Sequence, residues 1–413
     1  MNHCTVYEAL ARDIKARGID CAFGLMSDDT ALFVTTLDAI GVRFYAARHE
    51  NNAVAMAEGY ASATGKLGLA IIGRGPATAN AMHGASFAQR TGSKVLIVFG
   101  ASSVAAAGQG AAADAKEFNV TGVLAAMGMR TFIADQAEGA RRTLSHAIEH
   151  AQHGACVALL LPMNVQFAQI AYAGEAQAGA SASTNTSPPS KRLAARQSAI
   201  DAAVSLLAKS RQPLIVAGLG AHRAGAREAL EQLAEKTGAV LATTLKAKDM
   251  FHGHPYNLGI VGSFSHAPGR SLIDQADCIL VFGAGLNQRT TSYGTSLPSN
   301  VPLVQVDLNR ANIGRLFHAD LALVADAKSA AEQLLAALPA RSAADKPLHS
   351  ADTRQRLSKI DLSVGFEPEH TPRTMDPRSM AIELDRLLPA TRNAVYDAGN
   401  FLQVIPYISG VCS

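Results

Sequence analysis

The sequence predicts an α/β protein built from two doubly wound domains, each with a parallel sheet. Three observations carry this. Short runs such as 67–72, 95–99, 156–161, 213–217 and 278–282 are apolar throughout rather than alternating, as in strands buried on both faces between helix layers. Segments with helical spacing separate these runs in regular alternation. Finally, residues 172–191 are almost entirely Ala, Gly, Ser, Thr and Pro, too poor in large apolar groups to offset their ordering entropy, so they divide the chain.

The first domain, residues 1–170, opens with Thr5-Val6-Tyr7-Glu8, a capping-box spacing, on a helix that ends at Gly18. A strand over 21–25 follows, and Asp28-Asp29 are placed to cap a helix over 30–40. Strands over 42–46, 67–72, 95–99, 130–133 and 156–161 then alternate with helices over 52–64, 78–90 and 137–150. Beyond a linker at 171–191, the second domain (192–340) repeats the pattern. Helices are expected over 197–208, 224–236 and 327–338, and strands over 213–217, 240–243, 278–282 and 303–306. Residues 341–376 read as a second linker. A helix from Pro377 to Leu388, a strand over 393–396 and a turn at 397–400 then begin a third domain over 377–413, with only 13 residues beyond that turn.

Composition narrows the function classes. Apolar residues make up 48% and charged residues 17% of the 413, with a formal charge of +3, a field too weak to suggest a nucleic-acid partner. Small molecules are the expected ligands. The five cysteines form no C-x-x-C pair, which argues against a disulfide framework or zinc site and for a reducing cytoplasm. No apolar run approaches the ~20 residues of a membrane span.

Glycine-bearing strand ends invite a nucleotide-binding reading. However, the third glycine of G-x-G-x-x-G is replaced by Arg223 after Gly218-Leu219-Gly220, and by Gln288 after Gly283-Ala284-Gly285. Tight strand-to-helix turns are the plainer explanation of both. More informative is Arg48 through Ala61, where a strand ends in polar residues and a small-residue helix begins. This places Glu50 at the carboxyl edge of a parallel sheet, where ligands bind. By position alone Glu50 also suits a helix N-terminus, where the macrodipole favours an acid by about 0.3–1 kcal/mol. Gly73 through Asn80 likewise reads as a glycine turn with Thr78 as cap.

Taken together, the two clusters resemble the pyrimidine-binding domain of thiamine diphosphate enzymes of the acetolactate synthase and 2-oxoacid decarboxylase family. Their pattern is Phe-Gly-x-Pro-Gly, then Arg-His-Glu-x-x-Ala-x-x-Met-Ala-x-Gly-Tyr-Ala-x-x-Thr-Gly, then Gly-Pro-Gly-x-x-Asn. This chain has Phe23-Gly24, every named position from Arg48 through Gly65, and Gly75-Pro76 with Asn80. The likeness extends over 213–220, Ala276-Asp277 and Val306-Asp307 of the second domain, and to Asp397–Phe401, similar to the start of the family's diphosphate-binding domain.

The resemblance implies that Glu50 is the carboxyl group sharing a proton with the cofactor's aminopyrimidine. It implies a pocket lined by Gly24, Met26, Ser27, Pro76 and Asn80, with Asn400 on the diphosphate side. The substrate would be a 2-oxo acid undergoing decarboxylation or carboligation. It further implies a homodimer or homotetramer in which Glu50 serves cofactor held by another subunit, and FAD as a possible ligand of the central domain. The departures are Met26-Ser27 for Pro-Gly, Arg74 beside the turn, Ala77 for its second glycine, Lys94 for a proline and Ala101 for a glutamine. His83, one turn beyond Asn80, suits either the pocket or the surface. No Gly-Asp-Gly occurs, the start of the family's magnesium-diphosphate motif. The reading is therefore of an incomplete enzyme. The alternatives are a complementing subunit that lends Glu50 to a partner chain, and a nicotinamide or flavin oxidoreductase.

Overall fold

The computed structural model describes residues 2–103, 115–172, 192–360, 366–397 and 399–409. The chain divides into two compact units, Met1–Ser187 and Pro188–Ser413. Most of the expected linker, 173–191, lies outside the described residues.

In the first unit the elements are β1 (Asn2–Thr5), α1 (Val6–Ala16), β2 (Cys21–Gly24), α2 (Ala31–Ala39), β3 (Arg43–Ala46), α3 (Glu50–Thr64), β4 (Gly68–Ile72) and α4 (Pro76–Thr91). They continue with β5 (Val95–Ala101), α5 (Val120–Ala126), β6 (Arg130–Ile133), α6 (Ala140–Gln152), β7 (Cys156–Pro162), α7 (Met163–Phe167) and β8 (Gln169–Tyr172). Six strands form one parallel sheet in the order β3-β2-β4-β5-β7-β6. The central strands β4, β5 and β7 are buried on both sides, with separate apolar cores above and below them. Successive strands leave β2 in opposite directions, so the sheet's topological switch point lies between β2 and β4. Ligand crevices form at the carboxyl ends beside such a point. β1 and β8 pair as a separate antiparallel ribbon that the sequence did not signal, since four residues are too few to show a period.

The helix α1 carries the expected capping box, with Thr5 and Glu8 bonded reciprocally. The helix α2 departs from expectation. Its N-cap is Thr30, without a side-chain cap bond, and Asp29 turns inward instead. The contact between α3 and the sheet is close at Gly68, where an added Cβ would lie 2.1 Å from the Ala57 carbonyl oxygen. Gly68→Ala should therefore lower stability by about 2 kcal/mol or more through overpacking, read as a fall in the urea midpoint at constant slope. An unchanged midpoint would mean that α3 can lift off the sheet at no cost.

In the second unit, α8 (Gln197–Lys209), β9 (Pro213–Ala217), α9 (Leu219–Arg223), α10 (Arg227–Thr237), β10 (Val240–Thr243), β11 (Asn257–Ile260) and α11 (Ala267–Ile273) come first. They are followed by β12 (Cys278–Phe282), β13 (Leu303–Asp307), β14 (Leu321–Val324), α12 (Ala327–Ala337), α13 (Ala351–Ser358) and α14 (Pro377–Leu387). The sheet is again parallel, in the order β11-β10-β9-β12-β13-β14, the order of dinucleotide-binding folds. Residues 393–396, expected as a strand, have no regular structure. β11, β14 and α13 were not anticipated. Among the described residues no helix is long and apolar enough to cross a membrane.

Candidate active site at the carboxyl edge of the first sheet

The helix α3 starts immediately beyond the end of β3. Its N-cap is His49, extended at φ −158°, whose Nδ1 accepts the Asn51 amide N–H at 3.1 Å. Because the imidazole does the capping, the Glu50 side chain is released from that task. It is 8% exposed, and its Oε2 accepts a hydrogen bond from Asn80 Nδ2 at 3.0 Å. Among the described residues Oε1 has no hydrogen-bond partner. A carboxylate held by one oxygen, with the other free, can accept or donate a proton at a fixed place.

Asn80 is carried by α4, whose start is set by Gly75 as N-cap (φ +64°) and Pro76 in the first helical turn. Only glycine suits position 75, since an added Cβ would also lie 2.2 Å from the Lys116 carbonyl oxygen. Thr78, expected as the cap, lies inside the helix and donates its hydroxyl to the Gly73 carbonyl at 2.9 Å. Farther along, Gly84 lets α3 and α4 approach closely, an added Cβ being 3.0 Å from both Asn51 oxygens. There His83 Nδ1 lies 3.3 Å from Asn51 Oδ1, with the ring exposed.

The remaining expected pocket residues are only partly gathered. Gly24 ends β2 and is needed for packing, because a Cβ would lie 2.5 Å from the Ile71 carbonyl oxygen. Met26 is 49% exposed in the loop after β2, and Pro76 is exposed at the start of α4. Asn400 belongs to the second unit, and its side chain is outside the described residues.

Sequence reasoning missed a charged group at the switch point. Arg74 Nη1 lies 3.3 Å from Asp28 Oδ2 and 3.8 Å from Asp29 Oδ1, and Lys116 Nζ lies 2.7 Å from Asp28 Oδ1. Hydrogen bonding by the Lys116 ammonium, above all, holds the Asp28 carboxyl well below the usual carboxylate range. The adjacent acids at a strand end were a signal, but one equally consistent with helix capping.

In the second unit the two Gly-x-Gly turns pack against each other at the switch point between β9 and β12. An added Cβ on Gly218 would lie 2.3 Å from the Gly283 carbonyl oxygen, and Gly220 N–H donates to that oxygen at 3.0 Å. The glycines thus serve chain packing, as the broken fingerprint suggested. A separate cleft of about 920 Å³ lies beside β10 and β11, with Lys248, His266, Arg289, Arg354 and Arg378 in its lining. Cys156 and Cys278 are buried, and burial pushes both thiols up to about 12, so neither is a nucleophile at neutral pH. Among the described residues no group of three or more His, Cys, Asp or Glu could hold a metal.

Residues 4–120 match the model of the thiamine pyrophosphate enzyme N-terminal TPP-binding domain, and residues 200–334 that of the thiamine pyrophosphate enzyme central domain. The chain belongs to the thiamine pyrophosphate enzyme family. It is similar to an acetolactate synthase of Mycobacterium bovis, at 26% identity over 82% of this chain and 54% of that protein. It is also similar to a probable acetolactate synthase large subunit of Methanocaldococcus jannaschii, at 28% identity over 82% of this chain and 57% of that one. A probable 2-ketoarginine decarboxylase of Pseudomonas aeruginosa is 27% identical over 85% of this chain and 61% of its own length. The chain therefore spans little more than half the length of these family relatives.

The first unit's residues fit the pyrimidine end of that family's cofactor. A mostly buried carboxylate, one oxygen of which has no hydrogen-bond partner among the described residues, stands at the carboxyl edge of the sheet, oriented by an amide from the neighbouring helix. For the metal that accompanies the diphosphate end, the described residues offer no group of three or more His, Cys, Asp or Glu.

Proposed function

We propose that this chain provides the pyrimidine-binding half of a thiamine diphosphate site that decarboxylates a 2-oxo acid or joins it to a second carbonyl compound. The observation that carries the reading is the Glu50–Asn80 hydrogen bond at 3.0 Å, at the carboxyl edge of the first sheet. The cofactor, when bound, supplies the carbon nucleophile and the electron sink that such chemistry needs. Glu50 would hold or give a proton at Oε1 for the aminopyrimidine of the bound cofactor. Asn80 fixes the carboxyl plane by donating to Oε2. Ala53 and Val54 on α3 and Ala81 on α4, all fully buried, belong to the apolar core on which both helices rest.

We assign the diphosphate and its magnesium ion to a diphosphate-binding domain, on this or another polypeptide, and a homodimer or homotetramer is the expected assembly. The test mixes the purified chain with thiamine diphosphate, magnesium and pyruvate, with and without a diphosphate-binding domain taken from one of the relatives. Carbon dioxide release only in the complemented mixture is the expected result. Release by the chain alone would overturn the assignment of the diphosphate site, and no release from pyruvate or from bulkier 2-oxo acids in any mixture would overturn the function.

The cleft beside β10 and β11 favours a second ligand in the central domain, because its arginines suit the phosphates of a flavin nucleotide. Equilibrium dialysis against FAD checks this. Retention lost in Arg289→Ala is expected, and absence of retention by the unaltered chain would remove flavin.

A further inference from the structure

The charged group at the first sheet's switch point contains a carboxylate that its surroundings accommodate at evident cost. The Asp29 side chain is fully buried, and among the described residues its Oδ1 has no hydrogen-bond partner. Burying a carboxylate with incomplete pairing is far more expensive than burying an amide or an apolar group of similar size. The strand ends around it are nevertheless kept clear. A Cβ on Gly100, at the end of β5, would lie 1.6 Å from Asp29 Oδ2, and one on Gly73, just past β4, would lie 2.6 Å from Ser27 Cβ and 3.2 Å from Asp29 Oδ1. Neither glycine has positive φ, so it is space for the Ser27–Asp29 loop that these positions provide.

What Asp29 holds is the turn into α4. Its Oδ2 accepts the Arg74 backbone N–H at 3.1 Å, and its Oδ1 faces the Arg74 guanidinium. The Arg74 side chain, 12% exposed, continues to Asp28, which receives Lys116. Three segments that share no hydrogen-bonded ladder at this level are thereby laced together: the loop after β2, the turn after β4, and the stretch whose Lys116 carbonyl lies against Gly75. Directly beyond Arg74 come Gly75 and Pro76, and one turn later Asn80 donates to Glu50.

We propose that Asp29 is a positioning residue for the Glu50–Asn80 pair, acting through Arg74 on the turn that starts α4. The proposal rests on the reading of Glu50 as the site's proton-carrying group, but its geometry can be tested without cofactor. In the full chain labelled with ¹⁵N at asparagine, the Asn80 side-chain amide is identified by its disappearance in Asn80→Asp. Its two protons should be well separated in shift, because one is bonded to Glu50. Asp29→Asn, which keeps the shape and removes the charge, should collapse that separation toward the value of a solvated asparagine. Gly100→Ala keeps every charge and displaces Asp29 sterically, and should do the same, so the proposal remains testable if one variant does not fold.

The control is Asp13→Asn, which breaks another buried pair of this unit, Asp13–Arg141 at 2.7 Å, between α1 and α6. That variant should lose stability and leave the Asn80 signal in place. An Asn80 signal unchanged in both Asp29→Asn and Gly100→Ala would overturn the proposal. So would one that moves equally in Asp13→Asn. Addition of thiamine diphosphate and magnesium to the unaltered chain tests the other reading separately. With a diphosphate-binding domain from one of the relatives also present, failure of the Asn80 signal to respond, with its dependence on Asp29 intact, would count against the cofactor and not against the positioning role.

Discussion

Glu50→Gln should lower turnover of the complemented chain by a factor on the order of 10²–10⁴, the usual worth of a positioned proton-transfer group. Glutamine is nearly isosteric, and its amide oxygen can still accept from Asn80, so the helix start and the packing of α3 on α4 should survive. What is lost is the capacity to carry a proton at the free oxygen. Equal urea midpoints for the two proteins would show that the loss is chemical rather than structural. Asn80→Ala leaves the proton-carrying group in place and removes only its orientation, so its loss should be smaller, on the order of tenfold. Turnover that persists in Glu50→Gln would remove the role assigned to this residue, whatever the cofactor.

The second unit should lose stability as the pH falls from about 7 toward 5. His254 and His349 have side chains only 9% and 7% exposed, and His266 is half-buried. Burial, the largest cause in each case, pushes all three below the ordinary histidine value. The partly exposed Glu231 and Glu235 oppose it at His254, and the Ala239 carbonyl and Glu235 oppose it at His349.

With the folded-state pKa depressed, the unfolded chain takes up protons first. The stabilisation is therefore present above the unfolded value of about 6.5 and is lost as the pH drops through it. Each histidine steepens the dependence by up to about 1.4 kcal/mol per pH unit. The urea midpoint of the second unit, measured between pH 7.5 and 5, should fall accordingly. His349→Gln should flatten the curve, since glutamine can still donate to the Ala239 carbonyl that His349 Nε2 contacts at 2.8 Å. A pH-independent midpoint would mean that these rings remain accessible to protons in the folded state.

Much of both sheets was legible in the sequence because a strand buried on two faces must be apolar at every position. β4, β5, β7, β9 and β12 show that pattern without interruption. Short edge elements such as β1, β8 and β14 were not legible, because four residues carry no usable period and their pairing is decided by distant chain. Glu50 and Asn80 stood in a recognisable pattern, yet the sequence allowed Glu50 to be a helix-end charge. His49 caps α3 itself, and Glu50, in the first turn of that helix, bonds Asn80.

The glycines divide along the same line. Gly75 announces a turn because its neighbours are Arg74 and Pro76, whereas Gly100 looks like any strand residue until Asp29 is seen occupying the space its side chain would need. The two Gly-x-Gly turns of the second unit invite a ligand on paper and spend their small size on each other. The sequence by itself determined the α/β class and singled out Glu50 as the candidate carboxylate, since these depend on local composition and spacing. Only the tertiary structure decided what that carboxylate pairs with and what holds its partner. Asp29, Arg74 and Lys116 lie up to 88 positions apart along the chain from Asp28, and meet only where the strand ends converge.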